Sequence, residues 1–370
     1  MEESGLYVGI DIGLRITQIA VYNEEKYEPV CVGEYPDENR NYIPTEPDLS
    51  DNERLMLFLK QCLSVARKYG GDYEIAGLVV TMRDVDKELS DRYKEIFASV
   101  GLDKEKVSIQ NYRQSYMYFV LNQKQDIWVN DVGLFDYDTG GLKYYQMTVD
   151  RRRTPYIAGI MEKDYSGSMQ YGNEQEFLFE NIAENALHKQ ILSTIYMTGS
   201  GFDSGWADDS MRKLSRGSRI FKGSNLYVKG ACYAARSRAG LGIMPECLFI
   251  DDDMIRVHVS TNVYVRAESQ EIILAKAGTR WYEADSSLYI IPDDENELQI
   301  NVTNVITRDH MKHLIPLDII NKDRANMTTR LRLRVRFQDV NRCIVTIKDE
   351  GFGEICPSSG RIYEKILQVD

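Results

Sequence analysis

Hydrophobic positions in the first third of the chain fall into two periods. Residues 6–12 and 17–22 run apolar or alternate with β-branched residues, which predicts two strands joined by a turn at Asp11-Ile12-Gly13. Residues 36–52 are rich in Pro, Asn, Asp and Glu and read as a loop. Leu55, Phe58, Leu59, Cys62, Val65 and Ala66 then recur at helical spacing up to Gly70-Gly71. A buried strand is predicted over 75–81, a helix carrying Leu89, Tyr93, Ile96, Phe97 and Val100, a short strand over 107–111, and an aromatic-rich helix over 115–123. Residues 131–150 read as a hairpin turning at Asp138-Thr139-Gly140-Gly141. A long helix is expected over 174–193, with Phe177, Leu178, Ile182, Leu187 and Ile191 on its apolar stripe. IYMTGSGF (195–202) reads as a strand ending in a glycine-rich turn, followed by a helix from about Ser224 with Gly230, Ala231, Ala234 and Ala235 as small residues for close packing.

After about Met244 the pattern changes to short alternating strands without long helices. The expected organisation is an α/β domain over 1–243, a linker over 244–253 (MPECLFIDDD) and an all-β sandwich over 254–370.

Charge and composition narrow the classes. A net charge of −12 over 370 residues argues against broad binding to nucleic acid or anionic membrane, since both depend on basic side chains meeting phosphates. Cys31, Cys62, Cys232, Cys247, Cys343 and Cys356 form no CxxC pair, sit mostly in apolar runs and read as reduced, buried thiols. His310 and His313, three apart, would suit two metal ligands on a helix, but no Cys or acidic cluster completes the set. MEESGLYV lacks the basic and apolar regions of a signal peptide, and no apolar run approaches the ~20 residues of a membrane helix, so a cytoplasmic protein is expected.

Several strands end in Asp or Gly: Asp11-Ile12-Gly13, Asp136 through Gly141, and Gly199-Ser200-Gly201. Glycines let backbone N–H groups approach an anion, and two facing aspartates can hold magnesium through water. Each turn alone is explained as well by hairpin closure. Arg330, Arg332, Arg334 and Arg336 alternate and so share one strand face, either a solvated face paired with acids or a surface for acidic peptide or phosphate. Arg151-Arg152-Arg153 reads as a hairpin tip, and Tyr116, Met117, Tyr118 and Phe119 as packing residues.

In this order the segments resemble the actin-like ATPase superfamily, and within it the DnaK-type heat-shock chaperones. VGIDIGLRIT resembles the first phosphate motif, GLFDYDTGGLKYYQM the second, IYMTGSGF the adenosine motif, and GSNLYVKGACYAAR the closing helix. GLVVTMRDVDKELSDRYKEIFASVGLDKEKVSIQNYRQSYMYFVLNQ is similar to the region of the first connecting motif. ECLFIDDD is similar to the chaperones' interdomain linker, and TTRLRLRVRFQDVNRCIVTIKDEGFGE to strands of their peptide-binding β-sandwich. The resemblance implies a duplicated ribonuclease H-like fold binding ATP or ADP with magnesium. Asp11, Gly13, Thr17, Asp136, Gly140, Gly141, Gly199, Gly201 and Phe202 would form the nucleotide site, with Phe202 stacking on adenine. Asp11 and Asp136 would hold the metal through water and, in an active enzyme, serve catalysis.

The departures shape the expected function. Leu14 and Arg15 stand where the family has small hydroxylated residues, and Tyr112 where it has a glutamate. Asp138 and Thr139 precede the glycines of the second phosphate turn. A second carboxylate at ~4 Å costs roughly 4 kcal/mol at an effective dielectric of ~20 unless a metal or Arg15 offsets it. The family's inserted lobes are trimmed and their lysine has no counterpart. The expectation is a chaperone-like protein with a non-hydrolysing nucleotide domain, or one binding no nucleotide, whose β-sandwich holds a peptide or partner protein. The alternative is an active Mg-ATPase or small-molecule kinase of the same superfamily.

Overall fold

Strand β1 (Leu6–Ile12) is buried along its whole length, which is why LYVGIDI runs apolar instead of alternating. It belongs to a computed structural model of the chain that describes residues 5–34, 41–70, 73–169, 174–242, 246–294, 296–318, 324–354 and 356–369. Gly71, part of the 36–52 loop and the start of the 244–253 linker lie outside these residues. The chain divides into two units, Met1–Cys247 and Leu248–Asp370.

In the first unit, β1 pairs antiparallel with β2 (Ile16–Asn23), which pairs with β3 (Glu28–Val32) and the short β4 (Ile43–Pro44). Helix α1 (Asn52–Gly70) returns the chain to β5 (Ile75–Met82), parallel to β1. Helix α2 (Lys87–Ser99), capped by the Asp86 carboxylate on the Leu89 N–H, leads to β6 (Val107–Asn111), parallel to β5. The sheet order is β3-β2-β1-β5-β6. Helix α3 (Tyr112–Leu121) begins earlier than the aromatic run suggests, because Asn111 and Gln114 form a reciprocal capping box.

The same order then recurs. Strands β7 (Asp131–Asp138), β8 (Gly141–Asp150) and β9 (Tyr156–Asp164) are successively antiparallel. Helix α4 (Gln175–Leu187) precedes β10 (Leu192–Thr198), parallel to β7, and α5 (Asp208–Leu214) precedes β11 (Arg219–Lys222), parallel to β10. The order β11-β10-β7-β8-β9 matches β6-β5-β1-β2-β3 position for position. The first unit is thus a duplicated α/β fold.

Helix α6 (Leu226–Arg238) packs on β1, β5 and α3. Its small residues permit backbone-close approach: a Cβ on Gly230 would lie 1.9 Å from the Ser115 carbonyl oxygen of α3, and a Cβ on Gly9 of β1 would lie 2.4 Å from the Val228 carbonyl oxygen. Buried Tyr7, Ala20 and Val79 meet Val228, Ala231 and Cys232 across this contact. The opposite face of the first sheet packs on α1 and α2.

Strand β12 (Cys247–Ile250) follows at the boundary. The second unit holds β13 (Val257–Val265), β14 (Glu268–Ala275), β15 (Asp285–Ile290), β16 (Glu297–Asn304), β17 (His310–Pro316), β18 (Leu331–Asp339), β19 (Arg342–Asp349) and β20 (Ile362–Gln368). They form two four-stranded antiparallel sheets, β14-β13-β16-β17 and β15-β18-β19-β20. Val257, Val259, Ile300 and Val302 from the first sheet share one core with Leu331, Leu333, Val335 and Val345 from the second.

Several expectations are corrected here. The helix expected over 174–193 ends at Leu187, because Lys189 turns the chain with φ 58° and β10 starts at Leu192. Phe177 and Ile191, assigned to its buried stripe, are 63% and 75% exposed. His310 and His313 lie on strand β17, not on a helix; an odd spacing on a strand sends them to opposite faces, so they cannot share an ion. Strands β3, β9, β11, β17 and β20 were not foreseen, nor were β4 within the expected 36–52 loop and β12 within the expected linker. All six cysteines are free thiols, but only Cys62, Cys232 and Cys343 are buried as expected; Cys31, Cys247 and Cys356 are half-buried. Among the described residues, no helix is long and apolar enough to cross a membrane.

Candidate functional site

The duplication brings Asp11 and Asp136 to equivalent places. Asp11 stands near the end of β1 opposite Thr81 of β5; Asp136 stands near the end of β7 opposite Thr198 of β10. Both carboxylates are buried, at 8% and 2% exposure. Burial pushes the Asp11 carboxyl up to about 7, helped by the negative charges of Asp136 and Asp138 and opposed by a Tyr112 hydrogen bond and the Arg83 cation. Burial likewise lifts Asp136 to about 6, against Arg83 and the Tyr227 hydroxyl.

The counter-charge at this centre is Arg83, not Arg15. Arg83 directly follows β5, and its Nη2 lies 3.6 Å from Asp136 Oδ2. The Tyr227 hydroxyl at the start of α6 donates to the same oxygen at 3.0 Å. The Arg83 guanidinium also lies over the Tyr112 ring, 5.5 Å from its centroid. Tyr112 and Tyr227 stack with centroids 3.9 Å apart and planes 8° from parallel. The expected role of Arg15 fails because its side chain is exposed on the turn after β1. Tyr112 turns its hydroxyl toward Asp11 and so holds that carboxyl down against the effect of burial.

The first turn is closed by its own side chains. Thr17 Oγ1 is 2.9 Å from Thr45 Oγ1, and Thr45 donates to the Gly13 carbonyl at 2.9 Å. Leu14 is 78% exposed beside it. In the second turn, Asp138 Oδ1 accepts from Ser200 Oγ at 2.6 Å and from the Thr139 N–H at 2.8 Å. Ser166 Oγ donates to the Gly140 carbonyl at 3.2 Å, while Gly141, with φ +101°, backs directly onto Ser166. A Cβ on Gly140 would sit 4.0 Å from the Arg83 guanidinium carbon, so the arginine spans the space from Asp136 to this turn.

Gly199, with φ +96°, lies so close to β7 that a Cβ would come within 2.2 Å of the Tyr137 carbonyl oxygen. Gly201 lies against the Tyr137 ring in the same way. The expected adenine platform is corrected: Phe202 is buried among Tyr137, Phe179 and Trp206 and has no ring face open to a base. Of the residues expected to hold a nucleotide, Asp11, Asp136 and Gly140 stand around Arg83 and Gly199 lies beside Asp136, whereas Gly13 and Thr17 are tied to Thr45 and Gly201 lies against the Tyr137 ring. Arg83 and Tyr227 belong to the carboxylate centre, Thr45 to the first turn, and all three escaped sequence reasoning.

This donor set fits a hydrated magnesium poorly. Asp136 Oδ2 already meets Arg83 and Tyr227, and no group of three or more His, Cys, Asp or Glu side chains suited to a metal occurs among the described residues. One atom stands apart: Asp11 Oδ1 is buried without a hydrogen-bond partner. An open cavity of about 320 Å³ lies elsewhere, lined by Trp128, Asp131 and Arg151 at the opposite end of β7. It is five residues from Asp136 along the strand, about 17 Å at the usual strand rise, and shares no residue with the carboxylate centre.

Two solved structures are similar in part. The ethanolamine utilization protein EutJ from Carboxydothermus hydrogenoformans is 10% identical, with 62% of this chain and 89% of that chain covered at a TM-score of 0.39. The inorganic polyphosphate/ATP-glucomannokinase from Arthrobacter sp. strain KM is 14% identical, with 64% and 100% covered at a TM-score of 0.43. No curated protein matches the sequence. Residues 254–369 match a domain of unknown function (DUF8552). Residues 38–252, more than half of the chain, match the C-terminal region of a family of unknown function (DUF5716), and to that family the protein belongs.

Proposed function

We propose that the first unit is a non-hydrolysing, actin-like module that carries its own cation, and that the second, read as a β-sandwich, binds a peptide or partner protein in a chaperone-like role. The observation that carries the first half is Arg83. Its guanidinium stands between Asp136 and the Gly140 turn, the space that β- and γ-phosphates with their magnesium would need. In-line attack of water on a phosphoryl group depends on positioning and on cations that neutralise the developing charge. Here the positive charge is already spent on Asp136, and Tyr112 supplies no base. The two open sheets of the second unit leave β14, β17, β15 and β20 as edge strands, to which an extended segment can add.

Calorimetric titration of the full chain with ATP and with ADP, each with magnesium, tests the module. The expected result is no heat and no thermal shift at millimolar nucleotide. Binding at micromolar affinity would overturn it.

The active-enzyme reading keeps one observation in its favour, the buried and unpartnered Oδ1 of Asp11, a carboxyl that burial raises to about 7. In that reading Asp11 and Asp136 hold the metal or activate water, as in a Mg-ATPase or a small-molecule kinase. Magnesium-dependent phosphate release, lost in Asp136→Asn, would establish it.

A further inference from the structure

Strand pairing places the arginines of β18 on the outer face of the β15-β18-β19-β20 sheet, since Leu331, Leu333, Val335 and Phe337 fill the core side. Register defines three rows across this face. The first is Tyr289, Arg332, Lys348, Ile362; the second Ser287, Arg334, Thr346, Glu364; the third Asp285, Arg336, Ile344, Ile366. The second and third rows balance each other: Arg334 of the second pairs with Asp285 of the third, and Arg336 of the third lies 3.7 Å from Glu364 of the second.

The first row is not balanced. Arg332 and Lys348 are direct cross-strand neighbours, an arrangement that destabilises a sheet unless an anion lies between them. Lys348 has Glu350 at 3.0 Å; among the described residues Arg332 hydrogen-bonds only to the Ser287 hydroxyl and acts on the Asp285 carboxylate, two rows on, without forming an ion pair with it. Exposed Arg330 lies over the Tyr289 ring, 5.4 Å from its centroid, and has no carboxylate partner among the described residues. In the same row Ile362 and Tyr289 are 60% and 57% exposed, and Ile366, two rows on along β20, is 57% exposed. A cationic end flanked by exposed apolar side chains, on a chain of net charge −12, is the reverse of the average surface of this protein.

We propose that this face docks an acidic polypeptide segment, whose carboxylates meet Arg330 and Arg332 and whose apolar side chains cover Ile362 and Ile366. The proposal rests on the reading that the second unit binds a polypeptide, and it names the surface and the chemistry. Charge complementarity favours a peptide over a nucleic acid. Asp285 and Glu364 stand in the next two rows and would repel a continuous phosphate chain, whereas a segment with separate carboxylates can avoid them. An extended peptide also repeats every second side chain at about 6.6 Å, the spacing of the arginines along β18.

The test is fluorescence anisotropy of the full chain with short fluorescein-labelled peptides. One probe mixes Glu and Leu; in the others Gln replaces Glu, Lys replaces Glu, or Ser replaces Leu. A single-stranded oligonucleotide is the remaining probe. The expected result is binding of the Glu/Leu peptide alone, about ten-fold weaker in the double variant Arg330→Ser, Arg332→Ser and weaker again at high salt. Both side chains lie outside the core, and equal melting temperatures would show that the variant folds. If Glu and Gln peptides bind wild type alike, the face is wrong but the polypeptide-binding reading stands. If no peptide binds, that reading falls and the inference with it; binding of the oligonucleotide alone would make the face a polyanion site and overturn the proposal.

Discussion

Gly230→Ala is expected to destabilise the first unit by about 3 kcal/mol or more, a drop in melting temperature of about 10 °C for a unit of this size. The added Cβ would lie 1.9 Å from the Ser115 carbonyl oxygen, a distance that no rotamer change relieves because both partners are backbone. Helix α3 cannot step back freely. Its start is fixed by the Asn111–Gln114 capping box, and Ser115 Oγ joins Gln110 and Thr81 in a buried hydrogen-bonded chain with both distances 2.7 Å. Strand β1 blocks α6 on its other side at Gly9. Moving either helix would also part Tyr112 from Tyr227 and loosen the hydroxyl donors of both aspartates. Thermal and denaturant unfolding would measure this, with Gly167→Ala as the control, since a Cβ there meets nothing within 4 Å. A loss below about 1 kcal/mol would mean that the α3–α6 contact is looser than described.

That contact shows what the sequence made legible. The run of small residues from Gly230 to Ala235 announced close helix packing, and the two Asp-bearing strand ends announced a shared centre. Periodicity also located α1, α2 and the alternating β18, because each has one strongly buried face. It failed where that face is weak. Strand β9 is mostly half-buried, β20 points Ile362 and Ile366 outward against the usual pattern, and β3 carries Pro29. Ile191 extended the helical spacing of α4 by coincidence, after the chain had already turned. Arg83 was illegible for a different reason. A lone arginine after a strand has no meaning until the fold sets that strand's end beside Asp136, and Tyr227 reads as one more aromatic until α6 swings it onto the same oxygen. Phe202 misled because a residue after a glycine turn can point either to a ligand or into the core.

Asp11→Asn is expected to stabilise the protein by about 2–4 kcal/mol at pH 8 and to leave it nearly unchanged at pH 4. Burial raises the folded carboxyl to about 7 from its ordinary 3.8, so between these pH values the folded chain binds the proton that the unfolded chain has lost. Stability is therefore fully present below about pH 4 and falls as pH rises through about 7; Asp136, raised to about 6, adds a second contribution of the same sign. Asparagine removes the Asp11 contribution while keeping an acceptor for the Tyr112 hydroxyl. Unfolding free energies of wild type and variant, measured from pH 4 to pH 8, should converge at the acid end, separate progressively between about pH 4 and about pH 7, and run parallel above that. Curves parallel over the whole range would mean that Asp11 is not desolvated. Repeating the series with magnesium separates the two functional readings. If Arg83 is the resident cation, magnesium changes neither curve. If the unpartnered Asp11 Oδ1 awaits a metal, magnesium raises wild-type stability at pH 8 and leaves the asparagine variant where it was, and the self-neutralised scaffold is then the wrong description of this centre.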